Sequence, residues 1–123
     1  MTNENKREPD AFAVRLLEHM KTTDPWKVAG ELTALGVEAQ AEHTGGFIIC
    51  CYVYKPKHVY CFGDADGFWG ADVFERSEDG DHKFLDGESF EIDMLAGTDP
   101  KLVAEAIVKA IDADQQKRAA QQA

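Results

Sequence analysis

The sequence predicts an α+β fold: two N-terminal helices, an antiparallel β-meander of about six strands, and a C-terminal helix. Apolar residues recur at helical spacing near both ends of the chain. The middle of the chain instead has short runs rich in β-branched and aromatic residues, separated by Gly, Asp and Pro. The total of 123 residues is the usual size of one domain.

The first helix is predicted over residues 10–21, where Phe12, Leu16, Leu17 and Met20 recur at helical spacing. The preceding residues 1–9 are polar and of mixed charge, without the apolar stretch of a secretory signal. We therefore expect residues 1–9 to form a disordered lead-in.

Two further helices are marked by capping residues. Asp24 is a suitable N-cap, Pro25 suits the first helical position, and Gly36 is a suitable stop. Another N-terminal signal, Thr98-Asp99-Pro100, opens the C-terminal helix. We expect this helix to fray into a polar tail over residues 115–123, so that the folded domain spans residues 10–114.

The strands are separated by turn signals that favour sequential hairpins. The signals are Thr44-Gly45-Gly46, Lys55-Pro56-Lys57, residues 64–67, Asp79-Gly80 and Asp86-Gly87. If the first turn contains a glycine bulge, the alternation of side chains along the strands places nearly uncharged residues on one face of the sheet. We assign this face to the core. Its predicted members are Val37, Ala39, Ala41, Phe47, Ile49, Cys51, Val53, Tyr60, Phe62, Trp69, Ala71, Val73, Phe84, Phe90, Ile92 and Met94.

The opposite face is too aromatic for the solvent side of an open sheet. Its predicted members are Ile48, Cys50, Tyr52, Tyr54, Val59, Cys61, Phe68, Phe74 and Leu85, bordered by Glu38, Glu42, Asp72, Arg76, Glu91 and Asp93. Apolar patches with tyrosines and a charged rim are typical of interaction surfaces. The alternative is that the N-terminal or C-terminal helix of the same chain covers this face.

The acidic residues are concentrated in one segment. Residues 64–99 hold twelve acids and two bases, which accounts for the whole net charge of −10. Such a field repels nucleic acid and anionic lipid and attracts basic partners. The candidate acidic patch consists of Asp64, Asp66, Asp79, Asp81, Asp86, Glu88, Glu91 and Asp93. No apolar run approaches the roughly 20 residues that span a bilayer, so we expect a cytoplasmic protein without direct nucleic-acid or membrane contacts.

The three cysteines, Cys50, Cys51 and Cys61, lie within apolar segments, as expected for buried thiols in a reducing compartment. Adjacent residues of a strand point to opposite faces, so Cys50 and Cys51 do not both reach one zinc ion without a bulge. The Asp64-Ala65-Asp66-Gly67 run departs from a calcium loop at Phe68 and is interpreted as a hairpin turn. We predict no metal site and no cofactor.

Catalytic and phosphate-binding motifs are absent from the sequence. Neither G-x-S-x-G, H-E-x-x-H, G-x-G-x-x-G nor G-x-x-x-x-G-K occurs, and the four histidines are scattered. We therefore predict a protein that is not an enzyme.

The segment from His43-Thr44-Gly45-Gly46 through Gly63-Asp64-Ala65-Asp66-Gly67-Phe68-Trp69-Gly70-Ala71-Asp72-Val73, followed by the Thr98-Asp99-Pro100 helix, resembles small acidic proteins of unknown function from actinobacteria and their phages. This resemblance covers about the last two thirds of the chain and depends on turns, not on catalytic residues. It implies an accessory protein of a phage or mobile element, and no mechanism.

Three functional hypotheses follow from the sequence. The first is a protein-interaction module whose aromatic sheet face binds a protein partner or a second copy of the chain. The second is an acidic decoy whose carboxylates substitute for phosphates in the nucleic-acid site of another protein. The third, ranked last because few cations are present, is capture of a small ligand.

Overall fold

The computed structural model describes residues 11, 14–15, 23–45, 48–65, 68–87, 91–93 and 99–122. Within them the fold is α+β with an antiparallel sheet and a C-terminal helix, which confirms the predicted fold class. The elements in chain order are α1 (Pro25–Ala34), β1 (Ala39–Gly45), β2 (Ile48–Tyr54), β3 (His58–Ala65), β4 (Phe68–Glu75), β5 (Lys83–Asp86), β6 (Glu91–Asp93) and α2 (Pro100–Gln122).

Helix α1 begins and ends at the residues that the sequence predicts. The Asp24 carboxylate accepts a hydrogen bond of 2.8 Å from the Trp26 N–H, and Pro25 occupies the first turn. At the other end Gly36 has φ +84°, a left-handed conformation that glycine adopts without strain. The chain therefore turns from α1 into β1 immediately after the helix.

Of the two predicted N-terminal helices, α1 is the one that the structure describes in full. Ala11, Val14 and Arg15 are also helical, and α2 follows the sheet. The predicted helix over residues 10–21 and the predicted lead-in over residues 1–9 lie almost entirely outside the described residues, which include only Ala11, Val14 and Arg15 of them.

The sheet has six described strands, but five of them form the meander that the sequence predicts over about six. Neighbouring strands follow the order β1-β2-β3-β4-β5, and β6 pairs with β4 instead of with β5. Strand β5 pairs with the end of β4, through Glu75 and Lys83, and β6 pairs with its beginning, through Trp69 and Ile92. Strands β5 and β6 both pair with the same edge of β4 and not with each other. Asp86-Gly87 is therefore not the hairpin turn that the sequence predicts.

The face that α1 and α2 cover is the predicted core face. Cross-strand partners on it include Ala41 with Cys51, Cys51 with Phe62, and Phe62 with Ala71. The register shifts at Gly45, where the sequence predicts a glycine bulge. Helix residues complete one buried cluster with this face: Val28, Ala29 and Leu32 of α1, and Val103, Ala104, Ile107 and Ile111 of α2.

Phe84 was predicted on the core face, and the structure places it on the other face. Phe74 pairs with Phe84, whereas Val73 pairs with Asp86, so Leu85 is an extra residue in β5. The extra residue shifts the register between the turn and Leu85 by one position. A shift of one position moves each side chain of that segment to the face opposite to the predicted one. Phe84 therefore lies beside Phe74, away from the helices.

Helix α2 continues to Gln122 and includes most of the segment expected to fray. Residues Gln115 and Arg118 of this segment contact the sheet, as described below. None of the described helices combines the length and apolar character needed to cross a membrane.

Replacing Asp24 with Ala is expected to lower the free energy of unfolding by about 1 kcal/mol, because the N–H groups of the first turn lose their acceptor. Urea denaturation followed by circular dichroism measures the change. Asp24→Asn is the matched control, since an asparagine oxygen also caps a helix and should keep most of the stability. Equal losses in both variants would show that the cap contributes nothing.

Candidate interaction surface

The outer face is defined here as the sheet face opposite α1 and α2. Across it, Tyr54 pairs with Val59, Val59 with Phe74, and Phe74 with Phe84. Side chains of directly opposed residues lie on the same face. One row of mainly aromatic side chains therefore crosses the sheet from β2 to β5.

Two aromatic pairs hold this row in place. The rings of Phe74 and Phe84 meet edge to face, with centroids 5.6 Å apart and an interplanar angle of 77°. The rings of Tyr52 and Tyr54 stack on β2 with centroids 6.4 Å apart. Both separations lie in the range in which aromatic pairs attract each other, which limits the freedom of each ring.

The outer face is not uniformly exposed. Val59 is 1% exposed and Cys50 is 8% exposed, although both belong to this face, whereas Tyr52 is half-buried. Exposure is much higher on β5, where Phe84 is 56% exposed and Leu85 is 42% exposed. Among the described side chains of the outer face, the apolar surface available to a partner is therefore concentrated at the β5 edge.

Of the residues predicted to form the interaction surface, six come together on the outer face with described side chains. Cys50 is buried, and the others are half-buried: Tyr52, Tyr54, Cys61, Asp72 and Phe74. Ile48 and Phe68 are the first residues of β2 and β4, and their side chains lie outside the described part. Sequence reasoning missed Phe84, because nothing in the residues around it signals the bulge at Leu85.

The ring of Phe84 also contacts the backbone that follows β5. A Cβ atom added at Gly87 would lie 3.2 Å from Cζ of Phe84, closer than ordinary contact allows. Gly87 therefore provides room for the ring, and Phe74 contacts the ring edge to face. An exposed aromatic side chain that is already held in one position loses little entropy when a partner covers it.

The thiols of the outer face are poorly suited to nucleophilic chemistry. A hydrogen bond with Cys50 and burial raise the pKa of the Cys61 thiol. On the core face, burial raises the pKa of Cys51 to about 12. Because the thiolate is the nucleophilic form, the thiols of Cys61 and Cys51 stay protonated and unreactive near neutral pH. No disulfide joins any of the three cysteines.

Arg76 fixes one end of the aromatic row. Its guanidinium lies over the Tyr54 ring, 5.5 Å from the centroid, and donates a hydrogen bond of 3.0 Å to the carbonyl of Lys55. It also lies 3.7 Å from a carboxylate oxygen of Glu38. Arg76, Tyr54 and Glu38 line a surface depression of about 500 Å³, and the other lining residues are Pro56, Ser77, Glu78, Gly80 and His82.

The turn between β4 and β5 is held by its own polar groups. The Ser77 hydroxyl and the Asp81 N–H both donate to the Asp79 carboxylate, at 2.6 Å and 2.8 Å. The Ser77 N–H donates to Nδ1 of His82, and Gly80 has φ +86°. The hydrogen bond from Ser77 is the main cause that lowers the pKa of Asp79, so this carboxylate stays ionised well below neutral pH.

The structure describes only part of the predicted acidic patch. Asp79, Asp81 and Asp86 are exposed, and all three lie in or beside the β5 edge. The side chains of Asp64, Asp66, Glu88, Glu91 and Asp93 lie outside the described part. Negative charge therefore borders the same edge that exposes Phe84.

A buried polar cluster that the sequence did not predict joins α2 to the sheet. The Tyr60 hydroxyl donates to Asp114 at 2.5 Å and accepts from the Gln115 amide at 2.7 Å. The same amide lies 3.0 Å from Nδ1 of His58, and Arg118 donates to Asp114 at 2.7 Å. The sequence did not reveal this cluster because two of its helical members, Gln115 and Arg118, belong to the segment expected to fray.

Burial changes the titration of this cluster. Desolvation lowers the pKa of His58, which is 9% exposed, and the nearby Arg118 charge lowers it further. Desolvation and the hydrogen bond to Asp114 raise the pKa of Tyr60 to about 12. Both groups are therefore neutral near pH 7, and Nδ1 of His58 serves as the acceptor for Gln115.

Among the described residues, no group of three or more His, Cys, Asp or Glu side chains is arranged to hold a metal ion. Comparison of the chain with protein-family models, curated proteins and solved structures gave no match.

Acidification is expected to weaken the fold through His58. The pKa of His58 is lower in the folded protein than in the unfolded chain, so below about pH 6.5 the unfolded chain binds more protons and stability falls. Above that pH the contribution is fully present. Urea denaturation at several pH values measures the slope, and His58→Asn should reduce it. NMR titration of the imidazole is the direct control, and an elevated pKa would contradict the prediction.

Proposed function

We propose that the chain is a non-enzymatic protein-interaction module that binds its partner at the β5 edge of the outer face. The observation that carries the proposal is the exposure of Phe84, supported by Phe74 and Gly87, on the last strand of the described meander. Aromatic anchors of this kind dominate the energetics of protein interfaces because they bury a large area with few rotatable bonds.

The distribution of exposure favours the β5 edge over the rest of the outer face. Tyr52 and Tyr54 are half-buried, and Val59 between the aromatic strands is almost fully buried. These side chains are more deeply buried than Phe84 and Leu85, so they have less apolar area left to lose on binding. Phe84 and Leu85 retain about half of theirs, so an occupant of the edge removes more apolar surface from water there.

The biological setting is part of the same proposal. The resemblance to small acidic proteins of actinobacteria and their phages supports an accessory protein of a phage or mobile element that binds or inhibits a host protein. A cytoplasmic location is consistent with three cysteines that form no disulfide.

An acidic decoy is the second candidate function. It is favoured by the exposure of Asp79, Asp81 and Asp86 in and beside a turn whose internal hydrogen bonds hold the Asp79 carboxylate in place. Fixed carboxylates can occupy a site that otherwise binds phosphates. The two candidates differ in salt dependence, because association through exposed charges weakens steeply with ionic strength and apolar association does not.

Replacing Phe84 with Glu is expected to reduce recovery of the partner about tenfold or more, because the central aromatic anchor is lost and a charge replaces it. Affinity capture from the native host cell, quantified by mass spectrometry, measures the recovery. Light scattering of the purified protein tests the version in which the partner is a second copy.

The matched control is Leu102→Glu. Leu102 is also a large exposed apolar residue, but it lies on α2, away from the β5 edge. Partner recovery should be unchanged in this variant, and both proteins should keep the wild-type unfolding temperature. If Phe84→Glu leaves recovery and molecular mass unchanged, the β5 edge is not the interface.

A further inference from the structure

The outermost strand of the described meander presents an open backbone edge. Strand β5 pairs with β4 on one side, and no described strand lies on its other side. All four of its residues, from Lys83 to Asp86, are exposed. The backbone N–H and C=O groups along such an edge are the groups to which an additional extended strand forms hydrogen bonds.

The edge is only partly protected against such pairing. Natural proteins protect edge strands with charged side chains, bulges or short length, and β5 has Lys83, a bulge at Leu85 and only four residues. It nevertheless presents the Phe84 ring on one face and the Asp86 carboxylate on the other. The short length of β5 and its bulge restrict pairing to a short segment of a partner. The side chains of Phe84 and Asp86 determine which partner segments fit.

The charge around the edge indicates the chemistry of the partner. Residues 75–86 contain five acids and two bases, and all five acids are exposed: Glu75, Glu78, Asp79, Asp81 and Asp86. A second copy of this chain would bring the same negative charge to the edge, with a net charge of −10 on each molecule. Like charges oppose that pairing, whereas a basic segment is attracted.

We propose that β5 accepts a short, extended, basic segment of another protein as an additional strand of the sheet. This inference depends on the proposed function and specifies its binding mode and the chemistry of the partner. The added strand alternates apolar and basic side chains. The apolar residues cover Phe84 on the outer face, and the basic residues lie near Asp86 and the acidic turn, in keeping with the alternation of side chains along a strand.

The test uses the full-length chain and a fluorescently labelled short peptide of alternating valine and lysine. The expected result is saturable binding by fluorescence anisotropy, with NMR shifts of the amides of Lys83 to Asp86. A peptide of the same sequence that is N-methylated at every residue cannot donate backbone hydrogen bonds from either of its edges. It should bind about tenfold or more weakly, since it loses the backbone hydrogen bonds that an added strand donates.

Charge is tested separately from backbone pairing. The double variant Glu78→Gln plus Asp81→Asn removes two exposed charges beside β5 and should weaken peptide binding several-fold, more at low salt than at high salt. The matched control is Glu105→Gln plus Asp112→Asn, which removes two exposed charges from α2. This control should bind the peptide as the wild type does.

The outcomes separate the failure of this inference from the failure of the proposed function. If N-methylation has no effect, the peptide is held by charge alone and strand addition is overturned. If a glutamate-valine peptide binds equally well, or if light scattering shows a dimer that Phe84→Glu disrupts, the basic partner is overturned. In each case sensitivity of partner recovery to Phe84→Glu would still support the β5 edge as an interface.

Discussion

Successive side chains of a strand point to opposite faces, and this alternation determines what the two described helices can cover. Helices α1 and α2 pack together on one face, around Cys51, Val53, Tyr60 and Phe62. Every residue between those positions in the strands must then point away from the helices. The aromatic row on the outer face follows from that geometry, and its exposure at β5 is the basis of the functional proposal.

The charge distribution acts on the same surface in a different way. In the proposed interface, exposed carboxylates near β5 oppose contact between two molecules of this chain and so counter self-association through the apolar edge. In the same proposal they attract partners of opposite charge from a distance, before the short-range contacts with Phe84 form. The acidic composition and the exposed aromatic residue are therefore complementary parts of one surface.

Much of the fold can be predicted from local chemistry. Asp24, Pro25 and Gly36 set the limits of α1 through groups that lie within a few residues of each other, and period-two alternation identifies the core face of β1 to β4. The position of Phe84 is not predictable in this way, because a single extra residue at Leu85 reverses the face and leaves no mark in composition. The sequence therefore predicts that the outer face is an interaction surface, but it does not predict that Phe84 is the exposed residue on this face. The contacts of Gln115 and Arg118 were missed for a related reason, since their partners lie more than thirty positions away in the chain.

The ion pair between Arg118 and Asp86, at 3.7 Å, connects the last turns of α2 with the end of β5. A molecule that draws Asp86 toward itself also takes a negative charge away from the guanidinium of Arg118. If the edge is occupied as proposed, the change reaches the helical layer of the molecule, and the rate at which backbone amides near the end of α2 exchange with solvent serves as a remote reporter of binding.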